Sequence, residues 1–95
     1  MAAYVLVDVD VTDAAKYDEY RPMAAVSVEL YGGRYLARGG ETEVFEGARV
    51  PHRLVVLEFP DADAARAWYH SDEYGAAKAT RAGAATGSFI LVEGA

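Results

Sequence analysis

Tyr4-Val5-Leu6-Val7-Asp8-Val9-Asp10-Val11 is the stretch that most narrows the choice of fold, because it is apolar on both sides. β-Branched residues dominate it, so it reads as a strand. Side chains alternate across a strand: Val5, Val7, Val9 and Val11 point one way, Tyr4, Leu6, Asp8 and Asp10 the other. His52 to Phe59, with Leu54-Val55-Val56-Leu57 at its centre, repeats the double-sided character. So does Ser88 to Glu93, with Phe89 and Leu91 against Ile90 and Val92. In an antiparallel sheet with one solvated face, that face should turn polar. Here it does not, and the fold must cover both faces of its sheet.

Helices supply one cover. Thr12 or Asp13 can cap a helical stretch from Ala14 to Tyr31. Pro22 within it predicts two pieces, about 13–20 and 22–31, because a mid-helix proline removes a backbone donor at a cost of about 3 kcal/mol. Tyr31-Gly32-Gly33 closes the stretch as a glycine cap does. Arg34 to Arg38 reads as a short strand between glycine pairs. Glu41 to Glu46 reads as a strand extension or hairpin arm that turns at Gly47 and returns near Val50-Pro51. Pro60-Asp61 ends the next strand and caps a helix from about Ala62 to His70. Ser71 starts another, with Asp72 and Glu73 in the first turn, where the helix dipole favours acids. That helix ends at Gly83 to Gly87, before the last strand.

The order β-α-β-β-α-β is the split βαβ arrangement of ferredoxin-like folds, in the α+β class. Right-handed crossovers place both helical layers on one face of a four-stranded antiparallel sheet. A chain of 95 residues has room for one domain, 1–95, without a linker. A domain of this size buries only about 60–65% of its unfolded surface. The sheet face left bare measures roughly 300 Å² in projection, from a strand spacing of about 4.8 Å and a strand length of ~17 Å. That is at the limit of what a monomer exposes. A homodimer with two sheets packed face to face is the expected solution.

Composition narrows the partners. Lys and Arg number 9 against 15 Asp and Glu, a net charge of −6, which argues against a nucleic-acid backbone or an anionic membrane. Without cysteine there are no disulfides and no thiolate metal sites. The N-terminus has no basic region before its short apolar run, and no run approaches the ~18 residues of a membrane span. A cytoplasmic location is expected.

The segments "YGGRYLARGG" and "VVLEFPDADAARAWYHSDEY", the later Arg81 and the closing "LVEG" together resemble the family known as domain of unknown function 1330. The resemblance runs over nearly the whole chain, with the pieces in order. It implies a ferredoxin-like protomer and a dimeric α+β barrel. It implies no agreed activity, so no catalytic residue and no cofactor is carried over. Relatives in the wider superfamily include cofactor-independent monooxygenases, lactone isomerases, haem-degrading enzymes and small-ligand sensors, and analogy at the level of fold is a weak warrant for choosing among them.

Candidate chemistry gathers in residues 66–81, "RAWYHSDEYGAAKATR". Trp68 is central on an inward helical face with Ala64 and Ala65, and reads first as a core anchor whose indole N–H meets backbone. Tyr69 is partly inward and Ser71 is a helix cap. Tyr74, Ala77 and Arg81 share one stripe, and an arginine turned inward needs a carboxylate, a carbonyl or a ligand anion. Glu58, between Leu57 and Phe59, needs a cation or a raised pKa. Arg38, Arg53 and Arg81 are the available cations, with Arg38 on the neighbouring strand. Such a group serves as a structural ion pair, an anion site oriented by Glu58, or a general acid or base. Tyr17 and Tyr20 can hang over a pocket mouth or pack helix to sheet. His52 and His70 have no second ligand at metal spacing, so no metal site is expected. "GGRYLARGG" lacks the phosphate-loop pattern.

The candidate ligand-binding residues are therefore Tyr20, Arg38, Glu58, Trp68, Tyr69, Tyr74 and Arg81. They would line a pocket between sheet and helices, with Leu6, Val56 and Trp68 as apolar walls, for a small organic ligand of anionic or aromatic character. One alternative is a cofactor-independent monooxygenase- or isomerase-like enzyme using a tyrosine or Glu58 as proton carrier. The other is a structural module with no cavity. Period-2 patterns leave open which sheet face carries Glu58.

Overall fold

The strand Ala3–Val11 (β1) lies inside the sheet and is paired along both edges. The computed structural model describes every residue from Met1 to Ala95. Helix Ala14–Leu30 (α1) follows β1, then strands Arg34–Arg38 (β2) and Arg53–Phe59 (β3). Helices Ala62–Tyr69 (α2) and Asp72–Arg81 (α3) precede the last strand, Ala85–Glu93 (β4). The four strands form one antiparallel sheet in the order β2-β3-β1-β4, which is the ferredoxin-like α+β arrangement.

Register decides what faces what. Val5 lies opposite Leu57 and Leu91, and Val7 opposite Val55 and Phe89. These residues, with Phe59, turn toward the helices and make the core with Val28 of α1, Trp68 of α2 and Tyr74 of α3. Each fully buried Val, Leu or Phe is worth about 1.5–3 kcal/mol. The other face carries Tyr4 opposite Glu58 and Val92, and Leu6 opposite Val56 and Ile90. No helix covers it, and Leu6 and Ile90 are 42% and 53% exposed. The bare apolar face expected from the double-sided strands is present.

Side-chain caps start all three helices. Asp13 accepts from the Lys16 amide at 3.1 Å, Asp61 from Ala64 at 2.7 Å and Ser71 from Tyr74 at 3.0 Å. At the far end of α1 the Gly33 amide donates to the Val28 carbonyl at 2.9 Å.

Three expectations need correction. The first helix is not broken at Pro22 but runs unbroken from Ala14 to Leu30. Tyr17, Tyr20, Ala24, Ser27 and Val28 form one buried stripe extending to both sides of the proline. Pro22 and Asp18, the residue four back, are both exposed, so water can meet the carbonyl that the proline leaves unpaired. Burying the stripe outweighs the proline.

The segment 41–50 forms no hairpin arm, and residues 40–52 have no regular structure. A two-stranded ribbon projecting from the sheet would have no surface to pack on. Val44, Phe45 and Val50 are exposed there. The last strand begins at Ala85 rather than Ser88, because β1 continues to Val11 and offers its backbone to residues 85–87. Gly87 permits this approach: a Cβ at that position would lie 2.9 Å from the Val9 Cα.

Candidate ligand chamber

Arg53 shares the alternation of Val55, Leu57 and Phe59, so the first residue of β3 sends a guanidinium toward the helices. It lies against Gly39, where φ is +70° and any Cβ would collide with the guanidinium. Its Cζ is 5.9 Å from the centre of the Tyr17 ring. Arg38 reaches the same face by a different route. Arg34 pairs with Glu58 and Tyr35 with Leu57, but Ala37 pairs with Val56 and Arg38 with Val55. Leu36 is the extra residue of a β-bulge, and the bulge puts both Tyr35 and Arg38 on the helix side. The Arg38 Cζ sits 4.2 Å over the Tyr35 ring.

These side chains frame a cavity of about 30 Å³ between α1 and the sheet, lined mostly by aromatic and aliphatic residues. Arg21, Arg38 and Arg53 are its only charged members. Arg21 is held by Asp18 at 3.2 Å. Arg81, at the end of α3, approaches from the other side, with its Cζ 5.7 Å from the Tyr20 ring centre and 5.1 Å from that of Phe89. The Nε atoms of Arg53 and Arg81 are buried without a hydrogen-bond partner. In a chain of net charge −6, the lining of this space thus holds three arginines and no carboxylate.

The phenols beside them stay neutral. Tyr20 and Tyr74 meet hydroxyl to hydroxyl at 2.9 Å. Burial pushes the pKa of Tyr20 far above its ordinary value, and the neighbouring Tyr74 adds to the shift. Burial likewise raises Tyr74, and it raises Tyr35 against the opposing pull of Arg38. Hydroxyls in this state donate or accept hydrogen bonds but do not serve as phenolate bases.

Trp68, Tyr20, Tyr74 and Arg81 lie together: the Tyr74 ring centre is 4.4 Å from that of Trp68 and 6.3 Å from that of Tyr20, with Arg81 beside Tyr20. Trp68 is an anchor, 1% exposed. Its indole N–H donates to the Ser27 hydroxyl at 3.0 Å, rather than to backbone as expected, and Ser27 in turn donates to the Ala24 carbonyl at 2.7 Å. Tyr69 is half-buried, accepts from Lys78 Nζ at 3.0 Å and lines a second space of about 260 Å³ between α2 and β4.

Glu58 is not part of the chamber. It stands on the opposite sheet face, paired with Arg34 at 2.6 Å, and so cannot orient Arg38 or Arg81. Leu6 and Val56 lie on that face too, where they line a groove of about 250 Å³. His52 is nearer to acids than its sequence neighbours imply: Asp8 accepts its backbone N–H at 3.0 Å, and Asp10 lies 3.8 Å from Nε2. Asp8 also accepts from Arg49 at 2.8 Å, and these two donors hold its carboxyl below the usual carboxylate range. No group of three or more His, Cys, Asp or Glu side chains is arranged to hold a metal ion.

Among the lining residues, Arg53 is missing from the candidates read from sequence, although its place two residues before Val55 on one alternation could have shown it. Tyr35 could not have been found so, because its partnership with Arg38 depends on the bulge.

Solved structures share this fold over nearly the whole chain. A protein of unknown function from Rhodopseudomonas palustris superposes with a TM-score of 0.80 at 17% identity, covering 99% of this chain and 82% of that one. SnoaB, a cofactor-independent oxygenase from Streptomyces nogalater, gives a TM-score of 0.68 at 12% identity, with 99% and 93% covered. A dimeric ferredoxin-like protein of unknown function from Jannaschia sp. CCS1 gives 0.63 at 15% identity, with 97% and 100% covered. Among curated proteins none matches with significant sequence similarity. The family model for Domain of unknown function (DUF1330) matches residues 2–95, and the chain belongs to that family.

Proposed function

We propose that residues 1–95 act as one dimeric α+β barrel domain that binds a small organic anion, aromatic in character, between sheet and helices, with its carboxylate at the chamber between α1 and the sheet. One observation carries this: two buried guanidinium Nε atoms have no partner, that of Arg53 in the lining of a space without a carboxylate and that of Arg81 just behind two of its lining rings, Tyr20 and Phe89. A buried donor left unpaired costs about 1–3 kcal/mol, and more when the group is charged. A carboxylate ligand would offset that cost with charge-assisted, bidentate hydrogen bonds, the geometry a guanidinium suits best. Tyr17, Tyr20 and Tyr35 add flat apolar surface with polar tips. The dimer would form through the bare sheet face, as supported by its exposed Leu6 and Ile90 and by the dimeric Jannaschia relative. That leaves the chamber, on the other face, free for a ligand.

A cofactor-independent oxygenase is the second reading, supported by the likeness to SnoaB. The chamber is poorly equipped for it. Burial holds the phenols of Tyr20, Tyr35 and Tyr74 neutral, and Glu58 is on the far side of the sheet, so none of these serves as its base. Binding is the better supported function.

Calorimetric titration with benzoate, the simplest aromatic carboxylate, tests this. Saturable binding is expected, weakened at least about tenfold in Arg53→Met and in Arg81→Met, the equivalent of one charge-assisted hydrogen bond of about 1.5 kcal/mol. Absent binding, or binding by both variants as tight as the wild type's, would overturn the proposal.

A further inference from the structure

We infer that the anion held by Arg53 and Arg81 carries an apolar body lodged in the space between α2 and β4, and that Phe89 is the door between chamber and groove. The ligand class is then an arylalkyl or alkyl carboxylate rather than a compact anion. This rests on the two arginines being the anion ligands, as proposed above.

Size comes first. The chamber, about 30 Å³, has room for water-sized groups but not for the body of an organic acid. The neighbouring groove is about 260 Å³, near the lower end for ligand sites, and its walls are mainly apolar: Val5, Ala65, Trp68, Tyr69, Phe89 and Leu91. Its remaining lining residues are Arg66 and His70, so no carboxylate of the lining repels an anion there either.

Trp68 and Phe89 are the only residues that line both spaces. Trp68 is locked by its Ser27 hydrogen bond and by rings on either side, Phe59 at 5.3 Å and Tyr74 at 4.4 Å between centroids. Phe89 is less confined. It is half-buried, it projects from β4 at the sheet edge, and its ring lies 5.1 Å from the Arg81 Cζ. A change of Phe89 rotamer, rapid for a partly exposed side chain, joins the spaces and uncovers the Arg81 guanidinium to the groove. Head and tail of one molecule then have their separate places.

Calorimetry with benzoate and 4-phenylbutyrate on the wild type and on Leu91→Trp, which fills the groove from the sheet side, reads this directly. The wild type should bind 4-phenylbutyrate at least ten times more tightly than benzoate, and Leu91→Trp should weaken 4-phenylbutyrate by far more than benzoate, erasing the preference. Nuclear Overhauser contacts from the phenyl ring to the Leu91 and Ala65 methyls, measured on the wild type, give the same information without a variant. No preference for the longer acid, or no such contacts, overturns the groove assignment while Arg81-dependent benzoate binding keeps the chamber proposal standing. If neither acid binds, both fall.

Discussion

Tyr20 and Tyr74 join α1 to α3 through a buried hydroxyl–hydroxyl hydrogen bond of 2.9 Å. Each keeps its proton well past the point at which an exposed tyrosine loses it, chiefly because burial penalises the phenolate. The sign of the linkage follows. Above the unfolded tyrosine pKa of about 10, the unfolded chain releases protons that the native chain retains, so the stabilisation, complete below that pH, declines as pH rises. Titrating phenolate absorbance should show tyrosines that ionise only as the protein unfolds. Tyr20→Phe should be about 1 kcal/mol less stable in urea, since it leaves the Tyr74 hydroxyl without its partner.

The contact of Trp68 with Ser27 makes a second prediction. Both are 1% exposed, and the Ser27 hydroxyl is the hydrogen-bond partner of the indole N–H. Ser27→Ala should cost about 1–3 kcal/mol through an unpaired buried donor. In a Trp68→Phe background the same change should cost far less, because the donor has gone. A double-mutant cycle from urea denaturation gives the coupling. Equal costs in both backgrounds would mean that the hydrogen bond contributes little.

The bare sheet face predicts the oligomeric state. Ile90 and Leu6 are direct neighbours across β1 and β4, and both point away from the helices. Light scattering should give twice the chain mass of 10.2 kDa for the wild type and the single-chain mass for Ile90→Glu. The variant should keep a native circular dichroism spectrum, since the helix-side core is untouched. A wild-type species of 10.2 kDa at micromolar concentration would remove the dimer from the proposal.

Sequence by itself determined the element order, the cap residues Asp61 and Ser71, a cap at Thr12 or Asp13 for the first helix, the anchoring Trp68, and the inward stripe of Tyr74, Ala77 and Arg81. It also determined that the strands are apolar on both sides. All of these are properties of one segment at a time, set by side-chain period and by short-range hydrogen bonding. Tertiary structure alone decided that α1 continues through Pro22, that residues 40–52 form no arm, and that Glu58 and Arg38 stand on opposite faces. Those outcomes depend on register between distant segments. A single bulged residue, Leu36, reverses the direction of every side chain after it, and nothing local to β2 reports which partner strand makes that bulge worth keeping.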